Sequence, residues 1–138
     1  MATVKTSYTL KLQFILKGFD CPSDEITELL GVQPTQNWDK GDILRTGASP
    51  RKFSSWILLS PTAPENSTVS EQLSGLKRLV PDIDEKLRVL SVDTVVTISC
   101  VVYAYEYWPA INLQPEEIDY LSRISAEFDV DLYDQINV

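Results

Sequence analysis

Any chemistry done by this chain has to be done without histidine. None occurs among its 138 residues, which removes the side chain most used for proton transfer near neutral pH and the commonest metal ligand. Metal centres built on Cys and His, and Ser-His or Cys-His nucleophile pairs, are thereby excluded. Carboxylate, lysine, tyrosine and thiol chemistry remain. Asp129 and Asp131 alternate along a predicted strand and share a face. Acid-base work needs one carboxyl buried and the other solvated, and nothing in the sequence separates the two. Cys21 precedes a predicted helix, whose positive end would lower a thiol pKa. A nucleophilic or redox role is open to it, and so is plain N-capping. Lys40-Gly41-Asp42 stands without the flanking glycines of a phosphate loop.

The densest candidate site is aromatic and charged. Asn37-Trp38-Asp39-Lys40-Gly41-Asp42 lies in a long segment without clear periodicity, and Trp56 follows shortly after it. Aromatic groups beside mixed charges in a loop suit a pocket for a small polar ligand, so Trp38, Lys40, Asp42 and Trp56 are the expected ligand-binding residues. The same residues would equally serve to pin the loop onto a sheet. Tyr103, Tyr105 and Tyr107 have the spacing of the stacking platforms that hold single-stranded RNA. A formal net charge of −8 opposes contact with phosphate backbones, so cross-strand packing or a dimer contact is the favoured use of these rings.

The charge is unevenly spread. Glu116, Glu117, Asp119, Glu127, Asp129, Asp131 and Asp134 face only Arg123, a net −6 over residues 116–134, whereas Lys40, Arg45, Arg51 and Lys52 cluster in the middle of the chain. An acidic side and a mildly basic loop follow. Such an acidic side attracts a basic protein or a small cation, and it also keeps a protein soluble. The sequence calls for no nucleic acid, membrane or cofactor.

The elements that would position these groups can be read from periodicity. Tyr8, Leu10, Leu12, Phe14 and Leu16 alternate with Thr9, Lys11 and Gln13, a half-buried strand. Pro22, with Asp24 and Glu25 in the first turn and Gly31 past the end, frames a helix whose apolar stripe is Ile26, Leu29 and Leu30. Residues 33–52 read as an irregular connection with a short strand near Ile43-Leu44, and Phe53 to Ser60 as a strand. Thr68-x-x-Glu71 is a capping box opening a helix, and Ile83, Leu87 and Leu90 continue a second helical piece. Val95 to Tyr107 alternates as the longest strand. Pro115 opens a last helix with Ile118, Leu121, Ile124 and Ser125 inward, and Val130 and Leu132 mark a final short strand.

Two stretches repeat one phrase: Pro22 with Glu25-Ile26-x-x-Leu29, and Pro115 with Glu117-Ile118-x-x-Leu121. Each follows an alternating strand. The order predicts a single α+β domain over residues 1–138, ferredoxin-like, with pseudo-duplicated β-α-β units, a mainly antiparallel sheet, helices on one face and an inserted helix. The sheet face bearing Thr9, Lys11, Gln13, Ser99, Tyr103 and Tyr105 is left without a main helix over it. No apolar stretch reaches the roughly 20 residues that cross a bilayer. Met1 to Lys5 leads into a strand rather than a signal peptide, and a structural disulfide between Cys21 and Cys100 is not expected. These features favour the cytoplasm.

The strand before Pro22, the run Pro22 to Thr35, Trp38 with Lys40-Gly41-Asp42, Ser55-Trp56 and Asp131-Leu132-Tyr133 together resemble a family of small, mostly bacterial proteins described only as a domain of unknown function, DUF4279. The resemblance spans nearly the whole chain and implies no activity and no catalytic residues. Some small acidic bacterial domains of this general kind act as immunity proteins that neutralise toxins, an analogy of type only. The expectation is therefore a non-enzymatic module that binds a protein partner, of which a basic toxin or effector is one form, or that pairs with itself through the open sheet face. The alternative is a small-ligand domain or modest enzyme centred on Trp38, Lys40, Asp42 and Trp56.

Overall fold

The structure, a computed structural model, describes residues 4–137. Met1 to Thr3, part of the stretch read above for a leader, lie outside the described residues. The elements in chain order are β1 (Tyr8–Lys17), α1 (Ser23–Leu30), β2 (Gln36–Trp38), β3 (Ser55–Leu59), α2 (Val69–Leu79), α3 (Ile83–Leu87), β4 (Val95–Ala104), α4 (Pro115–Arg123) and β5 (Ala126–Asp134). This is an α+β arrangement with one mixed five-stranded sheet in the order β2-β3-β1-β4-β5. No helix among the described residues is long and apolar enough to cross a membrane.

The long alternating strands form the centre. β1 and β4 pair antiparallel along their full length, from Tyr8 opposite Ala104 to Lys17 opposite Val95. Facing residues share a face, so Leu10, Leu12, Phe14 and Leu16 meet Val96, Ile98, Cys100 and Val102 in one core that also takes Ile26 of α1, Leu73 of α2 and Leu121 of α4. The inserted helix α2 therefore covers the same face as α1 and α4. Its capping box is formed, with Glu71 N–H donating to Thr68 Oγ1 at 3.1 Å and Thr68 N–H to Glu71 Oε1 at 3.2 Å. Gln72, fully buried, ties α2 to the sheet: its Oε1 accepts Leu12 N–H at 3.1 Å, while Nε2 donates to Thr62 O, Ala63 O and Ser67 Oγ.

The expected ferredoxin-like duplication is not confirmed. In that arrangement each β-α-β unit is split by a strand of the other. Here β1 and β3 lie side by side and antiparallel, whereas β4 and β5 lie side by side and parallel. The two units thus return differently: after α1 the chain makes β2 and a long loop before β3, while α4 is a direct crossover. The repeated proline phrase marks how the two helices begin. Pro22 stands at the N-cap of α1 and Pro115 at the first turn of α4.

Other local expectations shift. Gly31 ends α1 in the left-handed region at φ 72°, its N–H donating to Thr27 O, as foreseen. In α4 the inward stripe is Glu117, Tyr120, Leu121 and Ile124, a 3–4 spacing, and Ile118 and Ser125 face solvent. Buried Glu117 is satisfied by Gln114 N–H at 2.6 Å and Ser70 Oγ at 3.1 Å. Ile43-Leu44 is not a strand; the short strand is β2.

Candidate functional site

Strand alternation builds the site on the face turned away from the helices. Register places Ile57 of β3 beside Ile15 of β1, Ile15 beside Thr97 of β4, and Ser99 beside Asp129 of β5. Trp38 of β2 faces Ser55 on the same side. The loop between β2 and β3 folds over one end of this face. It holds itself there by a short internal ladder, Gly41 N–H to Arg51 O at 2.7 Å and Arg51 N–H to Asp42 O at 2.9 Å. The result is a groove of about 670 Å³.

The groove has a floor of apolar and hydroxyl side chains, Ile15, Ile57, Thr97 and Ser99, between walls of opposite charge. On the loop side stand Lys17, Arg51 and Lys52; on the β5 side stand Asp129 and Asp131. Two of the cations are laid over aromatic rings, Arg51 at 4.3 Å from the Trp38 ring and Lys17 Nζ at 4.9 Å from the Phe53 ring. Trp38 Nε1 donates to Phe53 O at 3.1 Å, which locks the two aromatic residues to each other. This wall is preorganised by cation–π contact and backbone hydrogen bonding. Beyond the groove, Tyr103 stacks on Tyr133 with ring centres 4.7 Å apart and planes 12° from parallel.

The family model described as "Domain of unknown function (DUF4279)" matches residues 6–135. The chain belongs to this family. No curated protein and no solved structure matches it.

In this DUF4279 member the four expected ligand residues do not converge. Trp38 lines the groove. Trp56 is fully buried on the opposite face, edge-on to Phe14 with its Nε1 donating to Thr27 Oγ1 at 3.0 Å. The reason is register: Trp56 faces Asn37, so Trp38, one residue on, belongs to the other side. Lys40 and Asp42 are exposed in the loop, where Lys40 N–H donates to Ser54 Oγ and Asp42 accepts Asp39 N–H. They shape the turn and do not line the groove. Asp39 and Asn37 point to the helix side and hold the start of α1 through Ser23.

The tyrosine row also divides. Only Tyr103 lies in β4 on the open face; Tyr107, past the strand end, packs edge-on against Tyr8 of the core at 5.9 Å. Cys21 takes neither of the two uses left open to it: the N-cap of α1 is Pro22, and burial with the nearby carboxylates of Glu25, Asp20 and Asp39 pushes the thiol pKa up rather than down. Among the described residues no group of three or more Cys, Asp or Glu side chains is arranged to hold a metal ion. Sequence reasoning missed Lys17, Arg51 and Phe53 as a unit. The available signal was parity, because Lys17 continues the polar row of β1.

Proposed function

We propose that the protein is a non-enzymatic interaction module whose working surface is the open face of its sheet. The groove supports this reading: an apolar centre flanked by a cationic wall and an acidic wall has the layout of a protein interface, where the centre supplies burial and the charged margins fix orientation. The partner class is a basic protein, as an immunity-type module would meet in a toxin, because a chain of net charge −8 draws such a partner in by its field. Two unbridged cysteines suit a reducing interior, and we assign the module to the cytoplasm. Capture from an extract of the source cells tests the reading. The wild-type chain retains a partner, and Ile57→Arg and the Asp129→Lys/Asp131→Lys pair release it with unchanged circular dichroism. A partner retained equally by all three chains overturns it.

The second reading is a small dipolar ligand in the same groove. Its support is size, since about 670 Å³ lies within the roughly 300–1,000 Å³ of small-molecule sites. A compound that changes tryptophan emission of the wild type and not of Trp38→Phe would establish it. Self-pairing through this face predicts a dimer in light scattering at high concentration, and a monomer removes that use.

A further inference from the structure

We propose that β5 receives a basic, extended segment of the partner as a sixth strand, and this rests on the reading of a protein partner at the open face. The inner side of β5 is occupied by β4 over nine register positions. Gln135 N–H donates to Ala104 O at 2.8 Å, and backbone direction alternates along a strand. The N–H and C=O groups of Phe128, Val130 and Leu132 therefore point away from the sheet, where no strand among the described residues pairs with them. An edge of this kind is a template for another chain. The opposite edge, β2, has only three residues.

The side chains of β5 select the occupant. Glu127, Asp129 and Asp131 share the open face, next to Thr97, Ser99 and Val101. None of these acids takes part in a salt bridge among the described residues; the ion pairs there join Lys5 to Glu106 and Arg123 to Asp84 and Asp119. On the other face of the strand Val130 and Leu132 are 38% and 57% exposed. An incoming strand that alternates basic and apolar residues meets both rows at once. A second copy does not. Two β5 edges paired antiparallel across a two-fold axis would set the acid row of one against the acid row of the other, and like charges directly opposite are destabilising.

The test uses the full chain, isotope-labelled, titrated with a blocked heptapeptide alternating Lys and Val, and with a Glu-Val peptide of the same length as control. The amide signals of Phe128, Val130 and Leu132 shift with the Lys-Val peptide only. Val130→Pro removes an outward donor without touching the β4 ladder, a position where an edge strand tolerates proline, and it weakens binding about tenfold or more, the loss of one to two strand hydrogen bonds with their neighbours. Asp129→Lys/Asp131→Lys, which keeps every backbone group, exchanges the preference to the Glu-Val peptide and serves also if Val130→Pro does not fold. Unchanged binding by a folded Val130→Pro, or no shift at β5, overturns the inference. Shifts confined to Trp38 and Phe53 do so too, yet leave a partner at the open face in place. Failure of the capture experiment with β5 shifts present strikes the broader reading alone.

Discussion

Trp38 and Trp56 sit on neighbouring strands and serve opposite faces of one sheet. Trp56 is enclosed by the core, edge-on to Phe14, with its indole N–H satisfied by Thr27. Trp38 is half-buried beneath a guanidinium, its indole N–H satisfied by a loop carbonyl. The same residue type thus does two physical jobs. On the covered face an aromatic ring must fill space and leave no donor unpaired, because neither water nor a loose side chain can compensate there. On the open face it fixes a loop and leaves its surroundings free to meet something else. Substitutions that separate the two roles test whether the faces are divided in this way.

The largest effect belongs to Trp56. Trp56→Ala opens a cavity in a packed core and removes the bond to the Thr27 hydroxyl, and costs about 3–5 kcal/mol. Urea denaturation reads it directly, as a fall in midpoint at unchanged slope. A loss under about 1 kcal/mol would place Trp56 outside the cooperative core and erase the contrast.

Gln72 comes next. It is the polar group that fastens α2 to the covered face, with four hydrogen bonds to three segments. Gln72→Leu keeps the volume and removes every bond, leaving Leu12 N–H without its partner, at a cost of about 2–3 kcal/mol. Amide exchange supplies a local check: Leu12 loses protection more than Phe14 does. Equal protection in both chains would mean that Leu12 finds another acceptor.

How much of this was legible in the sequence depends on how local each determinant is. β1, β4, the Thr68-Glu71 capping box and the Gly31 helix end are written in neighbouring residues, and were readable. β2 was not, because three residues on an edge become a strand only through Ile57, Trp56 and Ser55, 17 to 21 residues on in the chain. The direction of return after each repeated helix was not readable either, since the phrase encodes helix starts and the loop decides the rest. The candidate site failed for a related reason. Trp38 and Trp56 look like one cluster by spacing, but a pairing offset of one residue sends them to different faces. Glu117 shows the same lesson in a helix. Its carboxylate is turned inward where Ser70 of α2 donates to it, a contact made between elements, while the bond from Gln114 N–H belongs to the first turn of α4 itself.

Alkaline pH probes the covered face without removing a side chain. Burial raises the Cys100 thiol to about 11 from an ordinary 9, and burial with the nearby Asp84 carboxylate raises Tyr120 to about 12 from 10. Above pH 9 the unfolded chain releases the Cys100 proton while the folded chain keeps it, so stability falls as pH rises from 9 towards 11. Tyr120 adds to the fall above pH 10. Denaturation midpoints between pH 8 and 10.5 show this decline, and Cys100→Ala flattens its first part. A decline of the same steepness in Cys100→Ala would assign it to other groups.

The smallest effect on stability belongs to Trp38, and it is the sharpest test of the division. Trp38→Ala removes the ring under Arg51 and the hydrogen bond to Phe53 O, contacts at a partly wet surface worth about 1 kcal/mol or less. The core is untouched, because the neighbours of Trp38 are Ser55 and the loop. What changes is the wall of the groove: without the ring, Arg51 and Phe53 lose their fixed positions and the cationic side no longer stands in one arrangement. Binding at the open face should then weaken about tenfold while the denaturation midpoint barely moves, the reverse of Trp56→Ala. A Trp38→Ala chain that is as unstable as Trp56→Ala would show that the loop is part of the core. One that binds as well as wild type would show that the groove wall is only a loop fastening, and the comparison between the two faces would rest on packing alone.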